Sequence, residues 1–249
     1  EGYEIHDNDR IVLDYGSAPV VGLEMAQGTV LLGMLPATAP NTVINFLNYV
    51  SDGDYTNSII HRSVTNFVIQ GGGYTTPSPT FNSVNDFISV PTDPAVANEF
   101  DSNVSNIRGT VAMAKFANQP DSATSQWFVN LSDTNATGNA ALDSENGGYT
   151  VFARVLDMSV VDTIAAIARQ DHNGAFVELP VDTGNQLVTI STAFGDGIVS
   201  GRVYVDEDSS GTYENGEQTL QGITIYSDTD GDDVPDADEF SVQTAADGT

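Results

Sequence analysis

The sequence predicts a mainly β protein: a β-barrel whose ends are plugged by two helices, followed by a small β-sandwich-like module. Three observations carry this. Short apolar segments bounded by turn residues recur through the first 195 residues. Two isolated segments show the 3–4 spacing of an amphipathic helix. Beyond Gly195 apolar and polar residues alternate around acidic loops, with no helical period.

The elements follow in chain order. Residues 1–18 are weakly patterned and read as an N-terminal extension. PVVGLEMAQGTVLLGML (19–35) reads as two strands around a turn at Ala26–Gly28. ATAPNTVINFLNYVSDG (37–53) predicts a helix, with Asn41 as N-cap, Val43, Phe46, Leu47 and Val50 on one face, and Gly53 as the stop. Ile59–Val64 and Asn66–Gln70 are strand material before a glycine turn. Residues 74–97, rich in Thr, Ser and Asn and holding four prolines, read as a long connection. GTVAMAK (109–115), SQWFVNL (125–131) and YTVFARVL (149–156) read as strands. VVDTIAAIAR (160–169) is the second helix, and NQLVTIST (185–192) the closing strand. The expected domains are 19–195 and 196–249, with the boundary in Phe194–Ile198. The opening EGYEI and closing AADGT suggest a piece of a longer chain, in which the second module is incomplete.

Charge narrows the function. The 249 residues carry 35 acids and seven bases, for a net charge of −28. Residues 1–195 hold 21 acids and six bases; residues 196–249 hold 14 acids and only Arg202. Such a surface repels phosphate backbones and anionic lipid, which argues against nucleic-acid or membrane-surface partners. The apolar runs are far shorter than the ~20 residues of a membrane helix, so no membrane insertion is expected. The absence of cysteine excludes disulfides and thiolate chemistry. His6, His61 and His172 are too scattered to suggest a histidine metal centre.

Three ordered blocks carry a family resemblance. VINFLNYVSDGDYTNSIIHRSVTNFVIQGGG (43–73) resembles the cyclophilins, a family of peptidyl-prolyl isomerases, in its helix, short loop, F-H-R and F-x-x-Q-G-G pattern. GTVAMAKFANQPDSATSQWFVNL is similar to the family's G-x-[VL]-[SA]-M-A … S-Q-F-F segment. LDSENGGYTVFARVLDMSVVDTI resembles its L-D … V-F-G-x-V block.

The resemblance implies an eight-stranded antiparallel barrel capped by two α-helices, with a substrate groove on its outer wall. It places the functional residues on Arg62, Phe67, Gln70, Ala114, Gln126, Phe128 and Leu142, with Val68, Lys115 and Tyr149 beside them. The implied substrates are proline-containing peptides or unfolded protein clients. Rotation about an X–Pro bond is slow because amide resonance raises a barrier of ~18–20 kcal/mol. Its catalysis calls for tighter binding of the twisted amide, and for no cofactor. Arg62 suits that role as a permanent, forked donor, with Gln70 to position it and Gln126 to bond the peptide backbone. Phe67, Val68, Phe128 and Leu142 would form the pocket for the proline ring. His61 reads as structural, and Trp127, alternating with Phe128, as facing the barrel interior.

Several positions depart from the family pattern. Ile60 replaces the phenylalanine of F-H-R, Val68 a frequent methionine, and Gly73 an acid. Ala141 stands where many eukaryotic members carry tryptophan, so weak or no cyclosporin binding is expected. Two rival readings keep the barrel without turnover: a proline-peptide binding module, or a surface protein using it as a spacer.

The acidic tail suggests calcium. DEDSSGTYENGE (206–217) fits a twelve-residue calcium loop with Asp206, Asp208, Ser210, Glu214 and Glu217 as ligands. DTDGDDVPDADE (228–239) fits less well, with Asp228, Asp230, Asp232, Asp236 and Glu239. Both follow alternating strands rather than helices, a layout that resembles the calcium-binding B-type repeats of serine-aspartate-rich bacterial surface proteins. The implied Ca²⁺ is structural, and the expected setting is an exported bacterial protein.

Overall fold

The computed structural model describes residues 11–13, 19–133, 139–196, 203–205, 216–226 and 241–244. The chain divides into two units: Pro19–Gly197, and a second formed by Glu1–Ala18 together with Ile198–Thr249. In chain order the strands begin with β1 (Ile11–Leu13), β2 (Val20–Met25), β3 (Gly28–Met34), β4 (Ser58–Ile59) and β5 (Arg62–Val64). Next come β6 (Val68–Gly71), β7 (Tyr74–Thr75), β8 (Ile88–Ser89), β9 (Thr110–Met113), β10 (Trp127–Asn130) and β11 (Val151–Val155). A two-residue ribbon, β12 (Arg169–Gln170) with β13 (Leu179–Pro180), precedes β14 (Thr189–Asp196). The helices are α1 (Pro40–Ser51), α2 (Asn139–Leu142) and α3 (Ser159–Ala165).

Eleven strands form one antiparallel sheet in the order β5-β6-β10-β9-β11-β3-β2-β14-β4-β7-β8, where eight were expected. Three of them (β4, β7 and β8) are two residues long, below the length at which alternation is visible in a sequence. Side-chain alternation then sets the layers. Val21, Leu23 and Met25 of β2 and Val30, Leu32 and Met34 of β3 point into the core, where Phe46, Tyr49 and Val50 of α1 meet them. Trp127 and Val129 of β10 join this inner cluster, and Phe46 packs edge-on to the Trp127 ring at 6.5 Å. Phe128, between them, points the other way into a second cluster with Val68, Ala112, Leu142 and Val151. That outer cluster is where the site forms.

Three expectations need correction. Asn41 does not cap α1, because the helix begins at Pro40, whose missing N–H needs no acceptor. The cap comes from Glu99, 58 residues away. Its Oε1 accepts from Asn41 N (3.1 Å) and Nδ2 (2.7 Å), and its Oε2 from Thr42 N and Oγ1 (both 2.8 Å). Burial works to raise the Glu99 carboxyl, but these hydrogen bonds outweigh it and hold the pKa below its ordinary value.

Residues 74–97 are not a bare connection. They carry β7, β8 and a 3-10 turn at Val84–Asp86, and Phe81 and Phe87 pack beside Ile59, Leu179, Val181 and Leu187. Helix α3 ends at Ala165 instead of running to Arg169, which pairs across to Pro180. The closing strand runs on to Asp196, registered from Ile190↔Met25 to Asp196↔Val20.

In the second unit β1 pairs antiparallel with β15 (Val203–Val205), and β16 (Thr224–Tyr226) with β17 (Ser241–Gln243). Residues 11–13, within the N-terminal extension, pair through their backbone with a strand far along the chain. Val203, Tyr204 and Leu220 are buried there. No helix among the described residues is long and apolar enough to cross a membrane.

Candidate active site

Strand register builds the site. Across neighbouring strands Arg62 lies opposite Gln70, Gln70 opposite Phe128, and Phe128 opposite Ala112. Directly opposed residues share a face, so residues 8 to 66 positions apart fall into one row on the outer wall. Phe67 reaches the row because the β5–β6 hairpin closes in three residues. Asn66 adopts the left-handed region (φ 54°), and Phe67 N donates to Val64 O at 3.1 Å.

The far wall is closed by a backbone hydrogen bond from Tyr149 N to Leu142 O, 2.7 Å, which holds Leu142 beside the Tyr149 ring. That ring packs edge-on to Phe128, with centroids 5.8 Å apart. The result is a cleft of about 230 Å³ lined by Arg62, Phe67, Val68, Gln70, Ala114, Lys115, Phe128, Leu142 and Tyr149.

A polar relay crosses its mouth. Arg62 Nη1 donates to Gln70 Oε1 at a long 3.5 Å, and Gln70 Nε2 donates to Gln126 Oε1 at 2.9 Å. The Arg62 guanidinium also sits 5.8 Å from the Phe67 ring centroid. Gln126 reaches this position because residue 73 is glycine: a Cβ there would lie 2.9 Å from the Gln126 amide. Gly72 is equally constrained, with φ +74° and the Ser125 carbonyl and Trp127 ring where its Cβ would be. A cleft that pairs a forked cation with an aromatic pocket suits an apolar ring beside a carbonyl.

Residues 20–191 match the family model for cyclophilin type peptidyl-prolyl cis-trans isomerase/CLD. This chain belongs to the cyclophilins. It is 40% identical over 156 residues to peptidyl-prolyl cis-trans isomerase cyp18 of Streptomyces antibioticus, covering 62% of this chain and 87% of that one. Peptidyl-prolyl cis-trans isomerase B of Escherichia coli is 37% identical over 142 residues, 57% of this chain and 80% of that one. The crystal structure of a Cryptosporidium parvum cyclophilin-type isomerase shares the fold, with a TM-score of 0.53 and 20% identity, over 72% of this chain and 97% of that one.

Within the cyclophilin unit, Lys115 lines the cleft but is committed to its wall. Its Nζ donates to Gly148 O (2.6 Å), Asn146 O (3.0 Å) and Asn98 Oδ1 (3.3 Å), and lies 4.8 Å from the Tyr149 ring centroid. Burial lowers the Lys115 pKa, with Asp121 opposing. Sequence reasoning missed Asn98, whose four polar contacts gather three segments of the rim. Its N donates to Asp121 Oδ1 (2.8 Å), its Nδ2 to Gly147 O (2.8 Å), and its Oδ1 accepts from Thr150 Oγ1 (2.8 Å) as well as Lys115. It lies just past the 74–97 connection in a stretch that shows no motif or periodicity, so no sequence signal points to it.

His61 is buried, edge-on to Tyr74 at 5.2 Å. Burial first, and the Arg62 charge second, push its pKa down to about 4, so the ring is neutral at pH 7.

Among the described residues no group of three or more His, Asp or Glu is placed to hold a metal ion. Of the ten calcium candidates, Asp206, Asp208, Ser210, Glu214, Asp228, Asp230, Asp232, Asp236 and Glu239 lie outside the described residues. Glu217 is described and half-buried.

Proposed function

We propose that Arg62 accelerates X–Pro isomerisation in extended or unfolded segments by stabilising the twisted amide. The carrying observation is the Arg62 guanidinium at the edge of an aromatic pocket, held by one long side-chain hydrogen bond. In the planar amide the nitrogen lone pair is delocalised; rotation localises it and leaves a full carbonyl. A donor aimed at that nitrogen finds an acceptor only in the twisted state, which is the differential binding catalysis needs, while the carbonyl, less negative once twisted, serves to anchor the peptide. Phe67, Phe128 and Leu142 hold the proline ring, Gln70 aligns the guanidinium, and Gln126 bonds the peptide backbone. Ala141 lacks the ring that cyclosporin would contact, so cyclosporin binds weakly. Nuclear magnetic resonance exchange spectroscopy on an Ala-Pro tetrapeptide tests this. Wild type should accelerate exchange, and Arg62→Lys, which keeps the charge but loses the fork, should lose most of the rate. Peptide binding without exchange would instead favour a binding module.

The second unit binds structural Ca²⁺ in an exported bacterial protein. Support comes from the sequence: five acids within residues 206–217 repel one another unless a cation neutralises them, and oxygen ligands of that density suit Ca²⁺. Removing calcium with EDTA should lower the melting of residues 198–249 within the whole chain and leave the cyclophilin transition in place. A calorimetric trace unchanged by EDTA and by added Ca²⁺ would dispose of this reading.

A further inference from the structure

A second cleft, of about 380 Å³, continues from the proline pocket and shares Arg62 and Gln70 with it. Its floor is His61, buried and neutral, and its walls include Tyr74, Phe116, Ala175 and Val177. Two of these walls are unusual. Phe116 is 68% exposed and Val177 40%, and both are large apolar side chains bordering one cleft beside the site. Exposed apolar groups gathered at a groove mark a contact surface more often than an accident of folding.

The walls are also stiff. Phe116 N donates to Ser122 Oγ (2.8 Å), while its carbonyl accepts from Gln119 N (3.1 Å) and Asn146 Nδ2 (2.9 Å). On the other side Phe176, between Ala175 and Val177, packs edge-on to Tyr74 at 4.8 Å and Phe87 at 5.0 Å. The segment 74–97 therefore braces this wall through Phe87. A pre-formed cleft with apolar walls and a polar edge takes a side chain without having to be ordered first.

We propose that this cleft is a specificity subsite for a bulky apolar or aromatic side chain of the same peptide, within a few residues of its proline. The inference rests on the proline-isomerase reading of the adjoining pocket. Continuity through Arg62 and Gln70 makes a peptide seated on the proline pocket the natural occupant. The His61 floor is neutral, and Arg62, on the edge shared with the proline pocket, is engaged by the prolyl amide in the reading above, so an acidic side chain gains little there and a basic one is repelled.

The test is a set of seven-residue peptides with a central Ala-Pro, in which Phe, Ala or Glu is scanned through each flanking position. Phe at one position should raise kcat/KM over Ala on the order of tenfold, and Glu should not. Phe116→Ala, which removes one wall, and Ala175→Trp, which fills the cleft from an exposed position, should each cut that preference to about threefold or less. Both should leave the rate on the Ala-Pro tetrapeptide unchanged. If wild type turns over the tetrapeptide but no position prefers Phe, or both variants keep the preference, the subsite is refuted. A wild type inactive on every peptide would overturn the isomerase reading instead. Should one variant fail to fold, the wild-type scan and the other variant decide the matter.

Discussion

Two cations line the same cleft and are held in opposite ways. Arg62, on β5, has one side-chain hydrogen bond of 3.5 Å to Gln70, so most of its donors remain for a ligand. Lys115, just past β9, spends its ammonium on three acceptors of the chain and lies against the Tyr149 ring. At one end of the cleft the donors are largely open; at the other they are already taken by the fold. Under the proposed function, proximity to the cleft does not by itself make a charge catalytic: what matters is how many of its hydrogen bonds the fold has already taken.

The largest expected effect breaks the contrast at its active end. Arg62→Ala should lower kcat/KM for X–Pro exchange by about 10²–10³. Its melting temperature should stay within a few degrees of wild type, because little of the fold leans on the guanidinium. A fall in melting temperature as large as the fall in rate would place Arg62 with Lys115.

Lys115→Met tests the other end, and stability should lead. Leaving the carbonyls of Asn146 and Gly148 without this donor costs about 1–3 kcal/mol. That loss should appear in denaturant melts, accompanied by a rise in KM as the Leu142–Tyr149 wall loosens and by a smaller change in kcat. If kcat falls as far as in the arginine variant with stability intact, Lys115 touches the reacting amide and the contrast is wrong.

The smallest effect concerns Glu99, next to the residue that holds Lys115. Its folded pKa is depressed, so its contribution to stability is fully present above the unfolded value of about 4.3. It is lost as pH falls through the folded pKa. Glu99→Gln should flatten the acid side of the melting-temperature profile and change little at pH 7 beyond the weaker cap. An acid limb identical to wild type would mean that other carboxylates set it.

Much of this was legible in the sequence, and the reason is local. Alternation over β2, β3 and β10 is long enough to assign each side chain to a face, which separated Trp127 from Phe128. The nine cleft residues lie in or beside short motifs that resemble those of the cyclophilins, and it was that resemblance that named them. What escaped depends on partners distant in sequence. Glu99 replaces Asn41 as the cap across 58 residues. Asn98 meets Lys115, Asp121, Gly147 and Thr150, and no spacing rule announces that. The small strands β4, β7 and β8 exist because neighbours pair with them, not because their own residues insist on it.

The pairing of β1 with β15 also sets a schedule. Residues 11–13 are synthesised about 190 residues before residues 203–205, the strand they join. At ~5–20 residues per second the first strand waits roughly 10–40 s for its partner. All of Pro19–Gly197 is made within that interval, and every strand of its sheet has its neighbours before β15 exists. Until then Ile11–Leu13 offers an open edge that another chain could occupy. The isomerase unit can thus finish before the unit that joins Glu1–Ala18 to Ile198–Thr249.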